Sequence, residues 1–515
     1  IAYYPHPKSC IYKLNSRLHN LFIFIIMEFR KLMFAGLALS MMVACSQDDE
    51  LANGTNGTGT EGDAYMSLSI EMPNTGNTTR AINENGDKHE GTTGEQQITN
   101  LLLLVYDANE SDKLQYSHIY NTTDLRPQTP TPGDDKSTIY TITPFQIESG
   151  KKKVVVVVNP LNGKFTDQST LDLMRNEMKL SQKEIAQLSE DNHFMMTNAN
   201  SLANQNQQGE EIADKQDGLS NGDYYQDGSV AVDVQGTKNN PTSVTVSVER
   251  VVAKMEDKTA NYSITVSGKE DIVHFEKVAL INGNMKFFPI KKIREQGDGT
   301  NDYVVDPNFE KQAEATINDF YSNKFEDAFN AQSGEDIVAK DLSTENRASF
   351  YTLENTMIAA EQKNAYTTGL YYQATYELKG KAKGTNIYQY GNTLYDFAGL
   401  QEAAKQLGLN LNSLTDESSQ AQFYAIGVTK YEKGRCYYTY WIRHIDNQNN
   451  TEMGPMEFAV VRNNYYQMEI NSVKGIGDYK PIDPNPETPD EEVDSYLDVK
   501  VKVLPWIVRK NKIDF

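Results

Sequence analysis

A few places in this 515-residue chain carry side chains that could do, or undergo, chemistry. Cys45 closes a short apolar run as Val43-Ala44-Cys45, and its thiol could be acylated if Cys45 became a new N-terminal residue. Arg80 is the one base between Lys31 and Lys88 and sits in a polar loop running from Pro73 to Gly91. A trypsin-like protease needs only access to hydrolyse the Arg80–Ala81 bond in such a loop, although an ordinary loop arginine would look the same. Cys436, in Gly434-Arg-Cys-Tyr-Tyr-Thr-Tyr-Trp441, has His444 within sequence range. Nothing else supports a nucleophilic pair, and the apolar run points to a buried cysteine acting as a small hydrophobe. Asp298-Gly-Thr-Asn-Asp302 could be a calcium loop, but it lacks the glycine and distal glutamate of an EF-hand and reads better as a turn. There is no Gly-x-Ser-x-Gly, His-Glu-x-x-His, phosphate loop or histidine pair at ligand spacing. The expectation is therefore no catalytic residue, no metal site, no cofactor and no enzyme.

The remaining chemistry is that of backbone pairing. Tyr65 to Met72 alternates, with Met66, Leu68, Ile70 and Met72 on one face and Ser67, Ser69 and Glu71 on the other. Tyr496 to Val503 repeats the pattern, with Leu497, Val499, Val501 and Val503 opposite Asp498, Lys500 and Lys502. Period-2 alternation marks half-buried strands. Pro505 would limit pairing beyond it, and Trp506 is a large apolar anchor alongside. Between the body and this last strand lies 479–495, rich in proline and acids, which reads as a stiff, solvated spacer. A strand on such a spacer either folds back onto its own sheet or joins a neighbour's.

The elements that position these residues follow in order. Residues 1–26 read as sequence upstream of a start at Met27. Residues 27–45 form an export signal, with Arg30 and Lys31 before an apolar run, Leu32 to Met42, too short to span a bilayer. Val43-Ala44-Cys45 resembles a bacterial lipobox, with a plain secretory signal as the alternative. Residues 46–63 make an acidic, then Gly- and Thr-rich tether. Short strands follow: Ile98 to Tyr106, the five valines Val154 to Val158 flanked by Lys151-Lys-Lys153 as gatekeepers, and Ser243 to Met255. A second set is Tyr262 to Val266, Val273 to Ile281, Phe350 to Leu353, Thr368 to Leu378, Phe423 to Val428, Cys436 to Ile442, Met456 to Val461 and Tyr465 to Ile470. Helices are expected within Leu171 to Leu188 and at Ala403 to Leu409. Short strands separated by turns predict a mostly β protein built from two sandwiches, 64–258 and 259–478, with the terminal strand at 496–515. The net charge of -22, with 71 acids against 49 bases, argues against nucleic acid or an anionic membrane surface as partner. Thirty tyrosines against two tryptophans suit a β protein exposed outside a cell.

Several segments are similar to the fimbrillin family of the Bacteroidetes, in particular the branch that forms the shaft of the short (minor) fimbriae, a type V pilus. They are Thr79-Arg80-Ala81, Glu249-Arg-Val-Val-Ala-Lys254, Tyr351-Thr-Leu-Glu-Asn-Thr356, Cys436 to His444, Val461-Arg-Asn-Asn464, Gly475-Ile-Gly477 and Val501 to Trp506. The resemblance runs from Cys45 nearly to the end. It implies two transthyretin-like β-sandwich domains, export as an outer-membrane lipoprotein acylated (palmitate) at Cys45, and cleavage between Arg80 and Ala81 by an Arg-specific protease. It further implies loss of Tyr65 to Met72 and polymerisation through a donor strand, here Tyr496 to Trp506. The implied partners are copies of the chain in a filament, anchor and tip fimbrial subunits, and the outer membrane through the precursor's lipid; the implied role is a stalk subunit of a surface fimbria used in adhesion. Two other readings remain: a tip or anchor subunit, and a surface glycan-binding lipoprotein that stacks sugars on Tyr371-Tyr372 or Tyr465-Tyr466.

Overall fold

The computed structural model describes residues 62–72, 89–109, 112–128, 139–199, 216–217, 224–226, 229–295, 303–308, 319–321, 324–325, 327–329, 339–345, 347–447, 449, 451–454, 456–483, 485, 488–492 and 496–507. Cys45, Arg80, Ala81 and Asp298 to Asp302 lie outside them. The described chain is mostly β, as its alternating and apolar runs predict.

The first half forms a ten-stranded sheet. Its order is Leu114–Asn121, Asn100–Asp107, Gly150–Val158, Met196–Asn198, Thr242–Arg250, Ala64–Glu71, Ile139–Thr141 and Arg126–Gln128. Val230–Val234 also pairs with Gly150–Val158, and Phe145–Ile147 with Ala64–Glu71. Leu101 to Tyr106 and Val154 to Val158 are all fully buried, so these strands are covered on both faces, which explains their unbroken apolar runs. The lysine triplet is more than a solvated flank: Lys151 is exposed and Lys153 half-buried, but Lys152 is inside. The triplet lies within the strand, and Lys152, 1% exposed, is paired with Asp107 Oδ2 at 2.9 Å.

The second half contains a five-stranded sheet ordered His89–Glu90, Leu497–Ile507, Asn464–Val473, Val252–Asp257 and Ser349–Leu353. A second one contains Ser263–Thr265, Ile272–Ile281, Gly369–Glu377 and Arg435–Trp441, with Lys340–Asp341 alongside. Tyr372 from the latter sheet donates its hydroxyl to Asp257 Oδ2 of the former at 2.7 Å, across an apolar core that includes Phe275 and Tyr438. The chain passes from the first-half sheet to the second-half sheet at Val251, so Val252–Asp257 already pairs with the second set.

Between the paired strands Gly369–Glu377 and Arg435–Trp441 the chain builds a lobe with a separate core of Tyr388, Leu400, Leu414, Phe423 and Val428. Its helix is Phe397–Leu407, longer at the front than Ala403 to Leu409, because Asp396 caps it by accepting Gly399 N at 3.0 Å. Gly408 ends it at φ 71°, a left-handed position that glycine adopts without strain. The helix expected within Leu171 to Leu188 is two short ones, Leu171–Arg175 and Gln182–Gln187. Met178–Lys179 between them is pulled into a strand pair with Lys286–Phe287.

Candidate functional site

Ala64–Glu71 occupies an interior slot. On one side it runs parallel to Thr242–Arg250, in register from Met66↔Thr242 to Glu71↔Ser247. On the other it is antiparallel to Phe145–Ile147 through Ala64↔Ile147, and to Ile139–Thr141 through Ile70↔Tyr140. Both backbone edges are therefore bonded, and Tyr65 N also donates to Gly236 O at 2.9 Å. Met66, Leu68, Ile70 and Met72 are 0–1% exposed, and the intervening side chains are half-buried. Ala64, at 2% exposed, fills a fifth inward position that the alternation does not mark, because alanine is a weak strand signal. Each such burial is worth about 1.5–3 kcal/mol, so the four large residues contribute roughly 6–12 kcal/mol before ordering costs.

Short polar ties hold the ends of this strand. Asp63 accepts Ser149 N at 2.7 Å and Ser149 Oγ at 3.0 Å, and these hydrogen bonds keep its carboxyl below the usual range. Ser247 Oγ donates to Glu71 Oε2 at 3.1 Å. Gly236 is required for the close approach: a Cβ there would lie 2.1 Å from Thr242 N and 2.5 Å from Tyr65 O.

Leu497–Ile507, in contrast, is bonded mainly along one edge. It folds back on its own chain, antiparallel to Asn464–Val473 from Val473↔Leu497 to Asn464↔Pro505, with a bulge between Ile470 and Ser472. On its other side the strand partner among the described residues is His89–Glu90, at Trp506 and Ile507. Pro505, opposite Asn464, is the last residue of the ladder with Asn464–Val473, as its missing N–H predicts; Trp506 and Ile507 beyond it pair on the other edge with His89–Glu90. The alternation holds: Leu497 is buried, Val499 and Val501 are half-buried against the core, and Asp498, Lys500 and Lys502 are exposed. Val503 and Trp506 are placed by their backbones, opposite Tyr466 and His89.

The spacer before this strand is not free. Asp490 is 4% exposed, and its N–H donates to Gln362 O at 3.1 Å.

The motif residues of the second half converge on a buried ionic cluster beside the crossing at Val251. Glu95 accepts Lys254 Nζ and Tyr351 OH, each at 2.7 Å. Burial acts to raise the Glu95 pKa, but these two bonds outweigh it and hold the carboxyl below its usual range. Arg250 Nε donates to Glu95 O at 3.1 Å, and full burial pulls its guanidinium down to about 9. Lys291 pairs with Glu249 at 2.7 Å. Arg462 clamps Glu354 through Nε (2.6 Å) and a terminal nitrogen (2.5 Å), with both side chains fully buried. A buried pair of this kind costs desolvation but specifies geometry, and it ties Tyr351 to Thr356 to Val461 to Asn464.

Cys436 is fully buried and its thiol is pushed up to about 12 by that burial. His444 Nδ1 instead meets Tyr466 OH at 2.7 Å, so no nucleophilic pair forms. Tyr371, Tyr372, Tyr465 and Tyr466 are 0–1% exposed and cannot stack on a sugar. No group of three or more metal-ligating side chains occurs among the described residues.

Comparison with known proteins gives two family matches. The family described as major fimbrial subunit protein (FimA) matches residues 64–250, and the C-terminal domain of fimbrillin, major fimbrial subunit protein type IV, matches 429–512. These span both strands described above and the strands that flank them. No curated protein matches the chain. Solved structures similar to it include a protein from Parabacteroides distasonis with a proposed role in cell adhesion, 15% identical at TM-score 0.43 over 86% of this chain and 99% of that one. The tip fimbrial protein Mfa3 from Porphyromonas gingivalis, with a C-terminal truncation, is 13% identical at TM-score 0.34 over 86% of this chain and 99% of that one. A fimbrial assembly protein from Parabacteroides distasonis is 12% identical at TM-score 0.26 over 60% of this chain and 94% of that one.

Proposed function

We propose, from the premise that this chain belongs to the fimbrillin family of fimbrial subunits, that it is the polymerising stalk subunit of a short surface fimbria and assembles by strand exchange. As a family member it is a structural subunit of a cell-surface fimbria and not an enzyme. The proposal adds a lipoprotein precursor acylated at Cys45 and held at the outer membrane, cleaved by an Arg-specific protease between Arg80 and Ala81. Two sandwich domains, expected at 64–258 and 259–478 in the precursor, form the body; the cut removes 64–80 from the first, and the change of sheet at Val251 moves the boundary forward so that Val252–Asp257 belongs to the second. In the filament the body is joined to copies of the chain and to anchor and tip subunits.

The observation that carries the reading is an inequality between two strands of matching pattern. Ala64–Glu71 is bonded on both edges, whereas among the described residues the strand pairing of Leu497–Ile507 runs along one edge for most of its length. While the first strand is in place the slot is closed. Once the segment ending at Arg80 is cut it is joined to the body by hydrogen bonds and packing alone, and its departure leaves two rows of unpaired backbone groups around an apolar channel. A neighbour's Leu497–Ile507 that enters this slot exchanges one ladder for two. At about 0.5–1.5 kcal/mol net per hydrogen bond, the second ladder supplies several kcal/mol of driving force. This is β-augmentation, and a head-to-tail contact that does not close on itself grows into a filament.

The experiment is cleavage of the purified protein with trypsin, with and without residues 496–515. The full chain should form ladders or fibres, while the truncated chain should stay monomeric after the same cut. Fibres from the truncated chain would assign the donor elsewhere. A tip role would instead be favoured if the cleaved full chain capped pre-formed fibres without extending them.

A further inference from the structure

The spacer between the body and the terminal strand is held at a definite point. Asp483 Oδ1 accepts Phe325 N at 2.7 Å, and Asn364 N donates to Thr488 O at 3.1 Å. Lys363 and Pro489 form an antiparallel bridge. Asp490 N donates to Gln362 O at 3.1 Å, and the buried Asp490 carboxyl accepts Thr367 Oγ1 at 2.5 Å. Next to it, Arg443 contacts Glu491 and Glu457, each at 2.7 Å. A proline-rich segment has no need of these contacts merely to be extended.

We infer that this pin stays closed during strand exchange, so that the donor arm pivots after Glu491 and not along the whole spacer. The inference rests on the strand-exchange reading above. When Leu497–Ile507 leaves Asn464–Val473, the ladder it loses is re-formed in the neighbour's slot. Nothing in that slot replaces the pin. Opening it would leave Phe325 N, Asn364 N, Gln362 O and the Thr367 hydroxyl without the partners they have, and unpaired buried groups are costly. Asp490, Glu491, Arg443 and Thr367 are thus positioning residues for the arm. With the pin closed, 491–496 spans at most about 20 Å. With the pin open, 479–496 spans up to about 60 Å. The pin therefore fixes the distance between successive subunits.

The test locks it. Paired residues of an antiparallel bridge have Cα atoms about 4.5–5.5 Å apart, within the reach of a disulfide. Lys363→Cys with Pro489→Cys, oxidised and then cut after Arg80, should polymerise to the same extent as the wild type, within about two-fold. If the oxidised protein stays monomeric while its reduced form polymerises, the pin must open and the inference fails. If the wild type itself does not polymerise after the cut, the strand-exchange reading fails and the pivot with it. In a second variant, Asp490→Ala with Thr367→Val, fibres should form with a broader spread of subunit spacing by electron microscopy. An unchanged spacing would show that the pin does not set it.

Discussion

Strand exchange predicts that the stability of the precursor and that of the filament depend on different residues, and Leu68→Ala separates them. Leu68 is 1% exposed, lies opposite Val244 in the parallel pair, and sits in a strand bonded on both edges. Its slot has little freedom to collapse, so truncation should cost the uncleaved protein about 2–5 kcal/mol, the usual range for a buried Leu→Ala. With a urea slope on the order of 3 kcal/mol/M, a loss of about 3 kcal/mol moves the first unfolding midpoint down by about 1 M. After cleavage at Arg80 and polymerisation, residue 68 is no longer part of the particle. Fibres from Leu68→Ala and wild type should then dissociate and unfold at the same urea concentration. The mirror variant is Val501→Ala. Val501 is half-buried on a strand bonded mainly along one edge, so the precursor should lose about 1 kcal/mol or less, whereas the fibre should lose about 1.5–3 kcal/mol for a fully buried valine. Urea unfolding followed by intrinsic fluorescence and by sedimentation reads both forms. If Leu68→Ala weakens the fibre as much as the precursor, the first strand has not left and the account is wrong.

Other outcomes follow from particular groups. Val501→Asp should leave a folded precursor with near-normal circular dichroism but abolish fibre growth after cleavage; fibres of normal length would remove Val501 from the donor row. Burial raises the Asp490 carboxyl to about 8, with Arg443, Glu491, Glu457, Asp446 and Lys363 as the charged groups around it. A pKa raised on folding stabilises the protonated form, so the contribution is complete below the unfolded value of 3.8 and is lost as pH rises through about 8. Hydrogen exchange at Asn364 and Phe325 should accelerate beyond the intrinsic base-catalysed rate as pH rises from about 4 to about 8 and follow that rate above it, and Asp490→Asn should flatten the change; a pH-independent ratio would rule out the titration. Arg462→Met leaves Glu354 buried without its partner and should cost about 3–5 kcal/mol, read as a lowered unfolding midpoint. The Cys436 thiol, held up to about 12, should resist alkylation in the folded protein at pH 8 and react once urea unfolds it.

Some of this arrangement was plain in the sequence because it depends on local period. Met66, Leu68, Ile70 and Met72, and Leu497, Val499 and Val501, all show which face is buried by alternating with polar residues. Other features depend on contacts far apart in the chain and carry no local mark. Asp490 sits among prolines and acids, a composition that describes a solvated spacer equally well; its burial comes from Gln362 and Thr367, more than 100 residues earlier. Lys152 looked like a gatekeeper because its Asp107 partner lies on the neighbouring strand. The tyrosines that suggested sugar stacking are in the core, where Asp257 and His444 satisfy two of their hydroxyls. Glu95, Glu249, Glu354 and Arg462 were visible as motif fragments or not at all, and only folding brings them into one cluster. Val252–Asp257 shares the alternation of the strand before it, so the change of sheet at Val251 had no compositional signal.

The central claim is that removal of the first strand turns a closed subunit into a polymerising one. The most direct measurement is the size of the chain after it has been cut at Arg80, with its new N-terminus sequenced. The account predicts chains that begin at Ala81 and run as a ladder of multimers. Chains that begin at Ala81, have shed residues 65–72 and still sediment as monomers would contradict it.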